Sequence, residues 1–149
     1  MWDDKKSLIL SKVCVVLFMA LLLICLIFAP RLVARLLNMS AMANAAGAGV
    51  FLWTLYVGAV PAAALLVSMF KLLNKIGAGD VFVKENVGYL RFISWCFFVG
   101  GLICMLSSLY YAPWLPIGIA SAFIGLIIRV VKNVIAKAVS LQDDADYTI

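Results

Sequence analysis

Two stretches of this chain contain no Asp, Glu, Lys or Arg: residues 36–70, between Arg35 and Lys71, and residues 92–128, between Arg91 and Arg129. At about 1.5 Å of rise per residue, either stretch is more than enough for one helical crossing of a hydrocarbon layer roughly 30 Å thick. A soluble core helix needs far less uncharged sequence. The chain therefore reads as an all-α integral membrane protein forming a single membrane domain over residues 1–149. Composition agrees, since 66% of the residues are hydrophobic, against roughly 45–50% in soluble domains.

Four spans account for the apolar sequence: about residues 7–29, 50–70, 91–111 and 114–136. The first ends at Pro30. The start, Met1-Trp2-Asp3-Asp4-Lys5-Lys6, resembles a secretion leader, but the apolar run from Val13 to Pro30 is longer than the usual 7–15 residues, and no small-x-small cleavage site follows. It is read as the first span. Pro113 and Pro116 make the turn between spans three and four too tight for any outer domain.

The net charge of +5 does not point to nucleic acid, because the basic residues sit at the ends of apolar runs, where orientation signals belong. Lys5, Lys6, Lys12, Lys71, Lys75, Lys84, Arg91, Arg129, Lys132 and Lys137 fall on one side, and only Arg31 and Arg35 on the other. That asymmetry predicts a four-helix bundle with both termini and the 71–90 loop in the cytoplasm. Every acidic residue falls on that side as well. Trp53, Tyr110, Tyr111 and Trp114 suit an outer aromatic belt, and Trp2, Tyr89 and Trp95 an inner one.

After the first span, Leu32, Val33, Leu36 and Leu37 share one helical face and Arg31 and Arg35 another, which predicts a short interfacial helix. Ser40 to Gly49 follows, a run of small residues that reads either as a close-packed helix start or as a flexible tether, the tether at its Gly-rich end. Gly58 with Ala62, Ala59 with Ala63, and Ser121 with Gly125 are spaced four apart, so they allow close backbone approach either within the bundle or between two copies in a homodimer.

No catalytic, cofactor-binding or metal site is expected: the chain has no His, no CxxC and no clustered acids near a nucleophile. Cys14, Cys25, Cys96 and Cys104 all lie in apolar runs, where they read as small hydrophobes, with a soft-metal or redox pair as the alternative.

Three places carry candidate function. Arg129, followed by Lys132, lies about 24 Å into a span begun at Pro113, and reads either as a contact for an anionic lipid or substrate or as a snorkelling anchor. The loop from Asn74 to Asn86 reads as a helix end, a turn in which Gly77 and Gly79 take positive φ, and a new helix capped by Asp80. Its apolar Val81, Phe82 and Val83 either tuck against the spans or offer a docking surface. The acidic tail, residues 140–149, reads as a frayed end or as a short linear motif for a basic partner, ordered when bound.

At these segments the chain resembles the DUF2975 family, bacterial four-span membrane proteins without an established activity. The resemblance rests on Val60-Pro61, on Lys71-Leu72-Leu73-Asn74-Lys75-Ile76, on Gly79-Asp80-Val81-Phe82 with Asn86, on Leu90-Arg91-Phe92-Ile93-Ser94, and on the terminus from Asp143 to Ile149. Ala145 and Tyr147 depart from it, in a region where the family more commonly reads Glu-Asn-Asp-Leu-Thr. The family is often encoded beside a very small helix-turn-helix regulator, so the resemblance implies a cytoplasmic partner of that kind.

The expectation is a non-enzymatic regulatory or sensory protein of the bacterial cell membrane. It would engage its partner through Gly79, Asp80, Phe82, Glu85, Asn86, Arg91, Asp143, Asp144 and Asp146, with membrane lipids around it. The alternative is a small transporter, or an accessory subunit of an export or immunity system.

Overall fold

A computed structural model describes residues 3–148, apart from the side chains of Met42 and Ala45. Among the described residues there are helices and no strands: α1 (Asp4–Met39), α2 (Ala41–Ala46), α3 (Ala48–Gly77), α4 (Lys84–Ser107) and α5 (Trp114–Thr148). All but α2 are long and apolar enough to cross a membrane. The chain is a multi-pass helical membrane protein. Trp2, assigned above to the inner belt, and Ile149, at the end of the tail, lie outside the described residues.

The first helix does not stop at Pro30. A proline inside a helix removes one i→i−4 hydrogen bond, and here it leaves the Leu26 carbonyl without its amide. The Tyr56 hydroxyl of α3 donates to that carbonyl at 3.4 Å. Residues 31–37 are helical as expected, but they continue α1, a single helix of 36 residues about 54 Å long at ~1.5 Å per residue.

Nor is the run of small residues a tether. Ala41–Ala46 folds into α2, whose start is capped by the Ser40 hydroxyl accepting from the Ala43 amide at 3.4 Å. Alanine is the strongest helix former, and Ala43 is wholly buried against Val33 and Phe51. Gly47, at φ +84°, then turns the chain into α3. Leu36, Leu37, Leu52, Leu55, Tyr110, Tyr111 and Trp114 pack around this cluster. Tyr110 and Tyr111 set their rings edge-on to Phe51, with centroids 5.0 and 5.2 Å away. These tyrosines and Trp114 are therefore partly core, while Trp53 stays exposed.

Along their lengths the long helices pack in chain order, α1 on α3, α3 on α4 and α4 on α5, and among the described residues α1 and α5 do not pack together. The result is an open bundle. Successive helices run antiparallel, so one end of the molecule gathers the start of α1, the 78–83 loop and the end of α5. At that end a Cβ on Gly77 would come within 2.8 Å of Leu8 and 3.3 Å of Lys12. Cys14 and Cys25 sit on α1 and Cys96 and Cys104 on α4, helices that do not pack together among the described residues, and all four are free thiols.

The tightest interface is α4 against α5. A Cβ on Gly118 would lie 2.9 Å from the Gly101 carbonyl oxygen and from Met105, and one on Gly125 would lie 3.1 Å from Phe97 and 3.2 Å from the Ser94 carbonyl oxygen. Ser94 donates to the Gly125 carbonyl at 2.8 Å, and Ser121 to the Phe97 carbonyl at 2.9 Å. The Ser121–Gly125 spacing thus marks a helix contact. Gly58 does not: a Cβ there would meet nothing within 4 Å. Half-buried Ala62, one turn on, leaves that stripe loosely covered.

Candidate groove between the fourth and fifth helices

The loop that introduces α4 is organised from both sides. Gly79 takes φ +94°, the left-handed conformation that glycine adopts without penalty. The Gly79 amide donates to the Ile76 carbonyl and the Asp80 amide to the Lys75 carbonyl, both at 3.1 Å. This is the paired closure of a Schellman helix end. Gly77, expected to share the positive φ, instead ends α3 in helical conformation.

Asp80 does not cap α4. The helix begins at Lys84 after Val83, which makes no side-chain cap. Asn86 does the organising, its Nδ2 donating to the carbonyls of Asp80 at 2.6 Å and Val81 at 2.9 Å. At 1% exposure Asn86 holds the loop from within, and is not a contact on its surface. Phe82 stays half exposed on that surface, and Gly79 and Asp80 are exposed beside it. Glu85, in the first turn of α4, pairs with Lys75 at the end of α3, where a carboxylate also faces the positive end of the helix dipole.

The tail is not frayed. Helix α5 continues unbroken through Thr148, whose hydroxyl donates to the Asp144 carbonyl. Acids near a helix C-terminus oppose the dipole, but Lys84 Nζ lies 3.6 Å from Asp143 Oδ2, and Leu141, Gln142 and Ala145 are good helix formers.

Loop and tail meet in a groove of about 460 Å³ lined by Lys84, Val87, Gly88 and Arg91 of α4 and by Ala136, Val139, Ser140, Asp143 and Asp144 of α5. Of the expected docking residues, the structure brings Arg91, Asp143 and Asp144 together here, while Gly79, Asp80, Phe82 and Glu85 lie on the neighbouring loop and helix start. Asp146 lies further along α5 and does not line the groove. Sequence reasoning missed Lys84, Gly88 and Ser140. The signal was available in their spacing: 84, 87, 88 and 91, and 136, 139, 140 and 143, each fall on one helical face.

A smaller cleft of about 50 Å³ adjoins it and shares Arg91, with Ser94, Trp95, Arg129 and Lys132 as its other walls. The Arg129 guanidinium sits 5.9 Å from the centre of the Trp95 ring, a cation–π distance. At the opposite end of the bundle, Thr54 Oγ1 lies 3.0 Å from Ser107 Oγ and 2.7 Å from Tyr110 Oη. This polar contact between α3 and the end of α4 was not anticipated from the sequence.

A family model described as a protein of unknown function (DUF2975) matches residues 7–149. No curated protein and no solved structure matches the chain.

Proposed function

The chain belongs to the DUF2975 family, and from that premise we propose that it is a non-enzymatic regulatory or sensory membrane protein, engaging a small cytoplasmic partner through the α4–α5 groove and the loop beside it. In this reading the bundle stands in a bacterial cell membrane with both termini inside, as the distribution of Lys and Arg favours. The last turns of α1 and the whole of α2 then lie at the outer interface, with Arg31 and Arg35 toward the headgroups.

One observation carries the proposal. Arg91, Asp143 and Asp144, far apart in sequence, line a single groove together with Lys84. Exposed acids on α5 and exposed Phe82 on the loop suit a partner with basic side chains around an apolar contact, such as the small helix-turn-helix regulator that the family resemblance implies. Because among the described residues α5 packs along its length on α4, with Trp114 at its start reaching the Val33–Phe51 cluster, a small shift of the far end of α5 would change the groove and the exposure of the tail, a means for the membrane bundle to pass a signal.

The test is crosslinking in the membrane, affinity purification in mild detergent, and mass spectrometry of co-purifying proteins. A stoichiometric small basic protein is expected, reduced about ten-fold by deleting Asp143 to Ile149 or by Asp143→Asn with Asp144→Asn. Unchanged recovery from these variants would overturn the groove assignment. Recovery with transporter subunits would favour the transport reading.

A further inference from the structure

We propose that the small cleft walled by Arg91, Arg129 and Lys132 is a binding site for a phosphate group, the chemistry shared by anionic lipid headgroups and free phosphate. The argument begins with the tight α4–α5 contact. Ser94 bonded to Gly125, where a Cβ would lie only 3.1 Å from Phe97 and 3.2 Å from the Ser94 carbonyl oxygen, draws the two helices together one turn from Arg91 on α4 and one turn from Arg129 on α5. Lys132 follows on the next turn of α5. Two helices thus deliver three cations to one cleft.

Like charges so placed repel one another, and among the described residues none of the three has a carboxylate within ion-pair distance. Asp143 and Asp144 face Arg91 only across the neighbouring groove, and residues 92–128 contain no acid at all. An anion is the group that turns this arrangement from unfavourable to favourable.

Two further observations point the same way. Arg129 does not simply extend along its own helix: its guanidinium lies over the ring of Trp95, on α4, which turns the charged head toward the cleft. The Ser94 hydroxyl is committed as a donor to Gly125, so the cations supply the binding. The volume of about 50 Å³ suits a phosphate group and not an acyl chain, which would have to lie outside, along the exposed apolar faces of the helices.

The inference deepens the regulatory reading by naming the ligand class, yet it stands without that reading. Its test uses the purified full-length chain with no partner present, so failure of one leaves the other untouched. The thermal midpoint in neutral detergent is measured with added phosphatidylglycerol, phosphatidylcholine or inorganic phosphate, and lipid retention is measured by native mass spectrometry.

Phosphatidylglycerol is expected to raise the midpoint and to be retained about ten-fold better than phosphatidylcholine. Both effects should be lost in Arg129→Gln with Lys132→Gln and kept in Arg31→Gln with Arg35→Gln, at the opposite end of the bundle. The charge-conserving Arg129→Lys, which keeps the same net charge, should retain a response. A midpoint raised by inorganic phosphate in place of the lipid, and lost in the same double variant, would assign the cleft to a soluble phosphate. No preference for either anion over phosphatidylcholine, or a full response in the double variant, would overturn the site.

Discussion

The Tyr56 hydroxyl donates to the carbonyl of Leu26 at 3.4 Å, the acceptor that Pro30 leaves without an amide four residues later. In a hydrocarbon environment an unpaired carbonyl is costly, so a hydroxyl from α3 helps a proline to sit inside α1. Tyr56→Phe is expected to destabilise the protein by about 0.5–1.5 kcal/mol. Pro30→Ala restores the amide and should make Tyr56→Phe nearly silent. Unfolding of all four members of this cycle in mixed detergent micelles measures the coupling, and independent effects would refute it.

The α4–α5 contact separates two glycines that look alike in sequence. Gly118→Ala would press a methyl against the Gly101 carbonyl and Met105 at 2.9 Å, and should cost about 1–3 kcal/mol. Gly58→Ala meets open space and should be neutral or stabilising by up to about 1 kcal/mol. The same unfolding measurement decides. Equal losses at the two positions would mean that Gly58 is packed against something else, such as a second copy of the chain.

Gly79→Ala forces a side chain into φ +94° and should cost about 1–2 kcal/mol. Gly77→Ala, where the obstruction is the end of the flexible Leu8 and Lys12 side chains, should cost less. A reversed order, read from thermal midpoints, would contradict the helix end described here.

Asn86→Ala removes the donor for the Asp80 and Val81 carbonyls, a loss of about 1–3 kcal/mol at a buried site. The loop should then open, so trypsin in detergent should cut after Lys84 faster than in the parent chain. Unchanged cleavage would show that the loop is held by its glycine turn alone.

Lys84→Ala, by contrast, breaks a pair exposed to water at 3.6 Å and should leave stability within about 0.5–1 kcal/mol. Its effect should appear in partner recovery, because Lys84 lines the groove. A large loss of stability would assign Lys84 to the fold and not to the groove.

What was legible without coordinates follows from the physics of transfer. Whether a residue prefers lipid or water is mostly its own property, so the uncharged stretches 13–30, 36–70 and 92–128, the last broken by Pro113 and Pro116, were enough to count four long helices. The glycine turn at Gly79 was legible for a similar reason, since positive φ is a local demand of the backbone.

Three matters depended on partners distant in the chain. Pro30 reads as a stop until Tyr56 is seen at Leu26. Gly58–Ala62 and Ser121–Gly125 are the same pattern, and only the identity of the facing helix made one an interface. The acids of the tail read as solvated until Lys84 and Arg91 appear across the groove from them. Amino-acid sequence by itself determined that this chain is built of long apolar helices, because hydropathy accumulates residue by residue; tertiary structure alone decided which faces meet, because packing depends on shape and hydrogen-bonding partners contributed by other helices.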